Sequence, residues 1–129
     1  MGPIDKVLVV EDDETSRFIA NSILKRMGLG KQILMANNGL EALNLLKDVC
    51  NQGSCPELIL IDIKMPVMDG FELLMALNKS QEVDISNSKI ILLTSSASPK
   101  DIERAESYPF TTYMHKPLTK EKLQELMAD

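Results

Sequence analysis

Five short runs rich in leucine and β-branched side chains punctuate this chain, and a longer stretch with apolar residues at helical intervals follows each one. The runs are Lys6–Val10, Gln32–Ala36, Leu58–Asp62, Ile90–Thr94 and Thr112–His115. Strand alternating with helix is the pattern of a parallel sheet covered on both faces, and it excludes a helical bundle and an all-β sandwich. Val7–Val10, Leu58–Ile61 and Ile90–Leu93 are apolar at every position. A strand with no polar face must be buried on both sides, so these three belong at the sheet's centre. The expected architecture is α/β: a (βα)5 doubly wound, open, five-stranded parallel sheet with helices on both faces.

The helix starts are written in side chains. Asn38 with Glu41, Asp69 with Glu72 and Ser98 with Asp101 each set a capping oxygen three residues ahead of a carboxylate. Pro99 occupies a first helical position, where no N–H is needed. Thr119 follows Leu118 and precedes Leu123, the spacing of a hydrophobic staple. Ile19/Ile23/Met27, Leu43/Leu46/Cys50, Phe71/Leu74/Leu77 and Leu123/Leu126/Met127 give the helices apolar stripes for the core. Asn51–Pro56 and Ser80–Ser88 read as surface connections. Cys50 and Cys55 read as two reduced thiols, one at a helix end and one in the loop after it, ahead of a redox pair or half of a zinc site.

At 129 residues one domain accounts for the chain, and its core needs no disulfide or metal to hold. Nineteen acidic against 14 basic residues leave a formal charge of −5, so no positive field draws in nucleic acid. No apolar run approaches the length that crosses a bilayer. No signal-peptide pattern opens the chain, and Lys6 stands where a myristoylation signal needs Ser or Thr. The chain reads as cytoplasmic.

In an open sheet of this kind ligands bind beyond the carboxyl ends of the strands. There the sequence sets Glu11-Asp12-Asp13 after the first strand, Asp62 at the end of the third, Thr94-Ser95 at the end of the fourth and Lys116-Pro117 after the fifth. Glu11, Asp12 and Asp62 at one edge repel one another unless a cation sits among them. Mg²⁺ suits a site with few carboxylates, several waters and a phosphate oxygen. Asp13 and Glu14 read instead as a helix start favoured by the helix dipole. Asp62 follows four apolar residues, so hydrophobic sequence delivers a charge to the rim; an aspartate there can ligate a metal and attack phosphorus. Lys116 offers a positive charge, and Thr94 a hydroxyl, to phosphoryl oxygens.

Val9-Val10-Glu11-Asp12-Asp13, Leu60-Ile61-Asp62-Ile63-Lys64-Met65-Pro66-Val67-Met68-Asp69-Gly70, Leu92-Leu93-Thr94-Ser95 and Lys116-Pro117, in that order, resemble the receiver domain of two-component response regulators. The resemblance runs from about Lys6 to the C-terminus. It implies a flavodoxin-like fold and a single domain over 1–129, core about 6–128, with no output domain in this chain. It implies that Asp62 is the phosphoacceptor, that Asp12 ligates Mg²⁺ directly and Glu11 through water, and that the Lys64 carbonyl is a further ligand. Thr94 and Lys116 would bind the phosphoryl group, and Tyr113 would be an aromatic switch coupled to Thr94. Lys64 and Ser96 would tune the lifetime of the phosphorylated state, and the Lys116–Pro117 bond would be cis.

The implied partners are a sensor histidine kinase or a histidine phosphotransfer protein as donor. A downstream protein would bind the face made by the fourth helix, fifth strand and fifth helix, roughly Pro99–Asp129. No direct nucleic-acid or membrane contact is implied, and the expected state is a monomer or a weak, phosphorylation-dependent dimer. The chain would be no enzyme beyond its own Mg²⁺-dependent phosphorylation and dephosphorylation. His115, the one histidine, reads as structural. Ser107-Tyr108-Pro109-Phe110 departs from the small Gly-Ala turn that many members carry before the last strand.

Three other readings compete. A Mg²⁺-dependent phosphohydrolase would need a second acid two residues past the nucleophile, where this chain has Lys64. A flavin-holding module would need glycines or hydroxyls in the first loop, and Glu11-Asp12-Asp13-Glu14 repels a flavin phosphate. A degenerate receiver acting only as an interaction surface would have no use for Asp12, Asp62, Thr94 and Lys116 together.

Overall fold

The computed structural model of the chain describes residues 4–95, 98–108 and 110–127. Strands and helices alternate as β1 (Lys6–Val10), α1 (Glu14–Arg26), β2 (Gln32–Ala36), α2 (Gly39–Asn51), β3 (Leu58–Asp62), α3 (Gly70–Lys79), β4 (Lys89–Thr94), α4 (Pro99–Glu106), β5 (Thr111–His115) and α5 (Lys120–Met127). All strand pairs are parallel, in the order β2-β1-β3-β4-β5. The three wholly apolar strands are the central three, as a two-sided core demands. β4 and β5 each start one residue earlier than expected, because the Lys89 amide donates to Glu57 O at 2.8 Å and Thr111 pairs with Ile90. A polar residue is compatible with the first rung of a ladder, where its side chain still reaches solvent.

The core divides by strand parity. Leu58 and Leu60 of β3 meet Ala20, Ile23 and Leu24 of α1 and Leu123 of α5 on one face. Ile59 and Ile61 meet Leu46 of α2, Phe71 and Leu74 of α3 and Ala105 of α4 on the other. Each residue of β3 is therefore buried, Asp62 included. The chain winds to one side of β1 to place β2 and to the other to place β3, so the crevice at the carboxyl ends opens between β1 and β3.

The caps orient the helices that frame this crevice. The Asp13 carboxylate accepts the Ser16 amide at 2.8 Å, and the Asn38 side chain accepts the Glu41 amide at 2.9 Å. Asp69 and Glu72 form a full reciprocal capping box at 2.8 and 3.1 Å. Thr119 Oγ1 accepts the Lys122 amide at 3.1 Å. Ser98 departs from expectation: its side chain makes no cap bond, and Pro99, with φ already set for a helix, begins α4 instead.

Two local features correct or extend the sequence reading. Cys50 and Cys55 are joined by a disulfide and are not the two reduced thiols expected. In the connection between α3 and β4, Val83 is buried and Ile85 packs against the core, so apolar anchors hold a loop that reads as merely polar. No helix among the described residues is long and apolar enough to cross a membrane.

Between β3 and α3 the chain makes its tightest excursion. Val67 sits there at φ 70°, a left-handed conformation that costs a β-branched residue dearly, and its side chain is 73% exposed and so little repaid by packing. Val67→Gly should raise the unfolding free energy by about 0.5–1 kcal/mol, strain relief exceeding the entropy that glycine adds to the unfolded chain. Urea unfolding measures it, and a lower midpoint in the variant would contradict the strain.

Candidate functional site

Four strand ends deliver the site. The first is Glu11, which continues β1 through an amide bond to Ala36 O at 2.9 Å and is 3% exposed. Asp62 closes β3, and the chain is held in the sheet one residue further by the Ile63 amide on Leu93 O at 3.0 Å. The Asp62 side chain is therefore offered at the rim from a fully buried strand, at 7% exposure. Thr94 ends β4 almost completely buried, and its carbonyl accepts the Lys116 amide at 2.7 Å, which ties the β5–α5 connection to β4.

The parallel register brings these ends together, and one ammonium sits among their carboxylates. The Lys116 Nζ donates to Glu11 Oε1 at 2.7 Å and lies 3.5 Å from Asp62 Oδ2. Glu11 Oε2 accepts the Asp13 amide at 3.3 Å. Carboxylate oxygens of Glu11, Asp12 and Asp62 lie within 4.8 Å of one another, with Asp12 exposed. Three carboxylates thus face one ammonium, and the excess negative charge opens to water through Asp12. That donor set fits a hard divalent cation that keeps part of its hydration shell.

The protonation preferences follow from this crowding. Burial, and then the neighbouring Asp62, push the Glu11 carboxyl above the usual glutamate range, outweighing the Lys116 ammonium that favours its charged form. Burial alone would lower Lys116, but the Glu11 hydrogen bond and the attraction of Asp62 and Glu11 carry it above its ordinary value. The two shifts share a sign and act in different ranges of pH. The stabilisation from Glu11's proton is present below the ordinary glutamate value and is lost as pH rises through the raised one. The contribution of Lys116 is complete at neutral pH and disappears only as pH climbs through its raised value. Asp13, whose carboxylate accepts from Ser16, is held below the usual range, as befits a cap.

The remaining expected residues fall around this centre. Lys64 begins the loop after Asp62 with its side chain exposed, and Tyr113 is half-buried against the core face shared with α4. Ser96 lies outside the described residues. The Lys116–Pro117 bond is cis. His115 is exposed, and its Nδ1 donates to the Lys116 carbonyl at 2.7 Å.

Several supports escaped the sequence reading. Arg17 donates to the Glu11 carbonyl at 3.2 Å and also to Asn37 Oδ1, bracing the first loop. Lys122 Nζ donates to the carbonyls of His115 and Pro117 at 3.0 and 3.1 Å, on either side of Lys116. The Gly39 amide donates to Met68 O at 2.9 Å, so α2 holds the β3–α3 loop from outside. Such contacts between side chains and distant carbonyls carry no pattern in a sequence. At the start of β5, Tyr108 stacks on Phe71 with centroids 6.4 Å apart, and Arg104 lies 4.4 Å above the same ring. This aromatic group occupies the place of the small turn; Pro109 lies outside the described residues.

Comparisons with known proteins agree with the geometry. The sequence profile of the response regulator receiver domain matches residues 7–128. The two-component response regulator ORR41 of Oryza sativa subsp. japonica is 33% identical over 124 residues, covering 95% of this chain and 91% of its own. The sensor histidine kinase CheAY of Helicobacter pylori is 36% identical over 117 residues, or 91% of this chain, but the match spans only 14% of that protein. Among solved structures, a two component response regulator from Cytophaga hutchinsonii superposes with a TM-score of 0.87 at 32% identity, covering 97% of this chain and 95% of that one.

Proposed function

The chain belongs to the response regulator receiver domain family of two-component signalling, and from that membership we propose that it is a phosphorylation switch whose acceptor is Asp62. The observation that carries the reading is the convergence of Glu11, Asp12, Asp62 and Lys116, from three strand ends, on one crevice beside the buried Thr94.

The donor would be a phosphohistidine on a sensor histidine kinase or a histidine phosphotransfer protein. Asp62 attacks phosphorus, a bond forms to its carboxylate oxygen, and the P–N bond to the imidazole breaks. Such transfer depends on position and charge more than on covalent machinery. Glu11, Asp12, Asp62 and the Lys64 carbonyl would hold Mg²⁺, which supplies charge neutralisation for the phosphoryl oxygens. Lys116 and the Thr94 hydroxyl would bind those oxygens from the other side. Because Lys116 is already committed to Glu11 and Asp62, it must shift part of its bonding to the incoming group, and Glu11 is then free for the cation.

The added charge would bias the Thr94 and Tyr113 face, and through it the surface of α4, β5 and α5, toward a downstream protein. Lys64 and Ser96 would set how long the acyl phosphate lasts. A cytoplasmic setting and a monomer, or a weak dimer formed on phosphorylation, accord with this role.

Intact mass after incubation with a small phosphodonor tests the reading. The expected result is one added phosphoryl group that requires Mg²⁺ and is absent in Asp62→Asn. No adduct at the shortest times, with Mg²⁺ present and the fold intact, would leave a receiver-shaped interaction module in its place.

A further inference from the structure

The disulfide sits at the end of the sheet opposite the phosphoryl crevice, and backbone hydrogen bonds organise the turn between its two cysteines. α2 ends in a paired turn: the Gly53 amide donates to Cys50 O and the Ser54 amide to Val49 O, both at 2.9 Å. This is the Schellman arrangement, and it needs a left-handed residue at Gly53, whose φ is 76°. The turn reverses the chain so that Cys55 returns to Cys50, with Cα atoms 4.3 Å apart. From the start of β1, the Lys6 Nζ donates to Ser54 O at 3.2 Å and also to Ser54 Oγ, pinning the residue before Cys55.

These contacts bring the two cysteines face to face, and none of them runs through a sulfur atom. Cys50 packs against the core, whereas Cys55, itself half-buried, belongs to the connection after α2, whose Gln52 and Gly53 are exposed. A disulfide that is half-buried beside an exposed turn, closes a short loop and is preorganised by its backbone is suited to opening and reclosing. We infer that Cys50 and Cys55 form a reversible thiol–disulfide site that exchanges with a partner dithiol, separately from the phosphorylation chemistry.

In the reductive direction a partner thiolate attacks Cys55 Sγ. A mixed disulfide forms, the Cys50–Cys55 bond breaks, and Cys50 leaves as a thiolate and takes a proton. The partner's second thiol, deprotonated, then attacks its own sulfur in the mixed disulfide and releases Cys55. Two electrons pass to this chain, and the partner dithiol becomes a disulfide. The reverse sequence, with a disulfide as oxidant, closes the site again. The length of β3 separates this site from Asp62.

Equilibration of the whole chain in graded mixtures of reduced and oxidised glutathione, followed by alkylation and intact mass, tests the inference. In native buffer both thiols should appear together, and half-reduction should require at least tenfold more reduced glutathione than in urea. Gly53→Ala, strained at this φ although its side chain has open space, should give back about fivefold of that advantage without unfolding the domain. Cys50→Ser should acquire one glutathione, on Cys55. The inference fails if the native and urea curves coincide, or if the bond never forms within one chain. It fails equally if the bond resists excess dithiothreitol in native buffer, which would make it a permanent cross-link.

Discussion

Lys116→Met lowers the rate of phosphoryl uptake by about 10²–10³-fold, the loss expected when one preorganised donor to a transferring group is removed, and it does so while tightening Mg²⁺ binding. The opposed signs come from one arrangement. Lys116 is the cation nearest to both Glu11, at 2.7 Å, and Asp62, at 3.5 Å. With it gone, three carboxylates stand together without their ammonium, so a divalent cation gains in affinity. The phosphoryl oxygens lose their protein-borne charge, and the rate falls. Methionine keeps the length of the stem, so the fold should persist. Magnesium titration beside uptake kinetics checks both halves. A variant that loses uptake and Mg²⁺ affinity together would show a collapsed site and would count against this account of the lysine.

Gly70→Ala is expected to be strongly damaging although it adds a single methyl group. A Cβ there would lie 2.8 Å from the Asp62 carbonyl oxygen and 2.9 Å from Ile63 Cα. Both are backbone atoms of the strand end that carries the acceptor, and neither can rotate away. The Gly70 amide also donates to Ile63 O at 2.8 Å, so α3 starts in contact with the chain it must clear. Relief requires moving α3 or the end of β3, which should cost about 2–3 kcal/mol, in the range of core overpacking. The displaced strand end should also slow phosphoryl uptake in the fraction that remains folded. Urea unfolding gives the first number, and uptake measured well below the unfolding midpoint gives the second. A neutral result would mean that the loop yields more easily than its backbone contacts imply.

The contrast between these two positions shows what could be read in advance. Asp62 announces itself, because a charged residue at the end of an apolar run has no structural reason to be there, whereas Lys116 is legible only through its place after the last strand beside the other strand ends. The wholly apolar runs likewise place β1, β3 and β4 in the centre, since two-sided burial leaves no other composition. Ser98 misled because cap residues compete with proline for control of the first turn, and Pro99 alone suffices. Cys50 and Cys55 misled because their meeting depends on Gly53 turning left-handed, a backbone property that their own spacing does not express. Which cation answers which anion was also hidden. The Lys116 bond to Glu11 joins residues 105 apart and passes over the aspartate that matters more to the chemistry. Contacts of side chain to carbonyl, such as those of Arg17 and Lys122, leave no trace in spacing at all.

The position of the phosphoryl group is the most direct measure of the central claim. Borohydride reduces an aspartyl phosphate to homoserine, and peptide sequencing by mass spectrometry then reads its place in the chain. After incubation with a small phosphodonor and Mg²⁺, homoserine should appear at position 62 and nowhere else. Homoserine at position 12, or phosphate retained on His115 or a hydroxyl residue, would contradict the assignment of Asp62 as the acceptor.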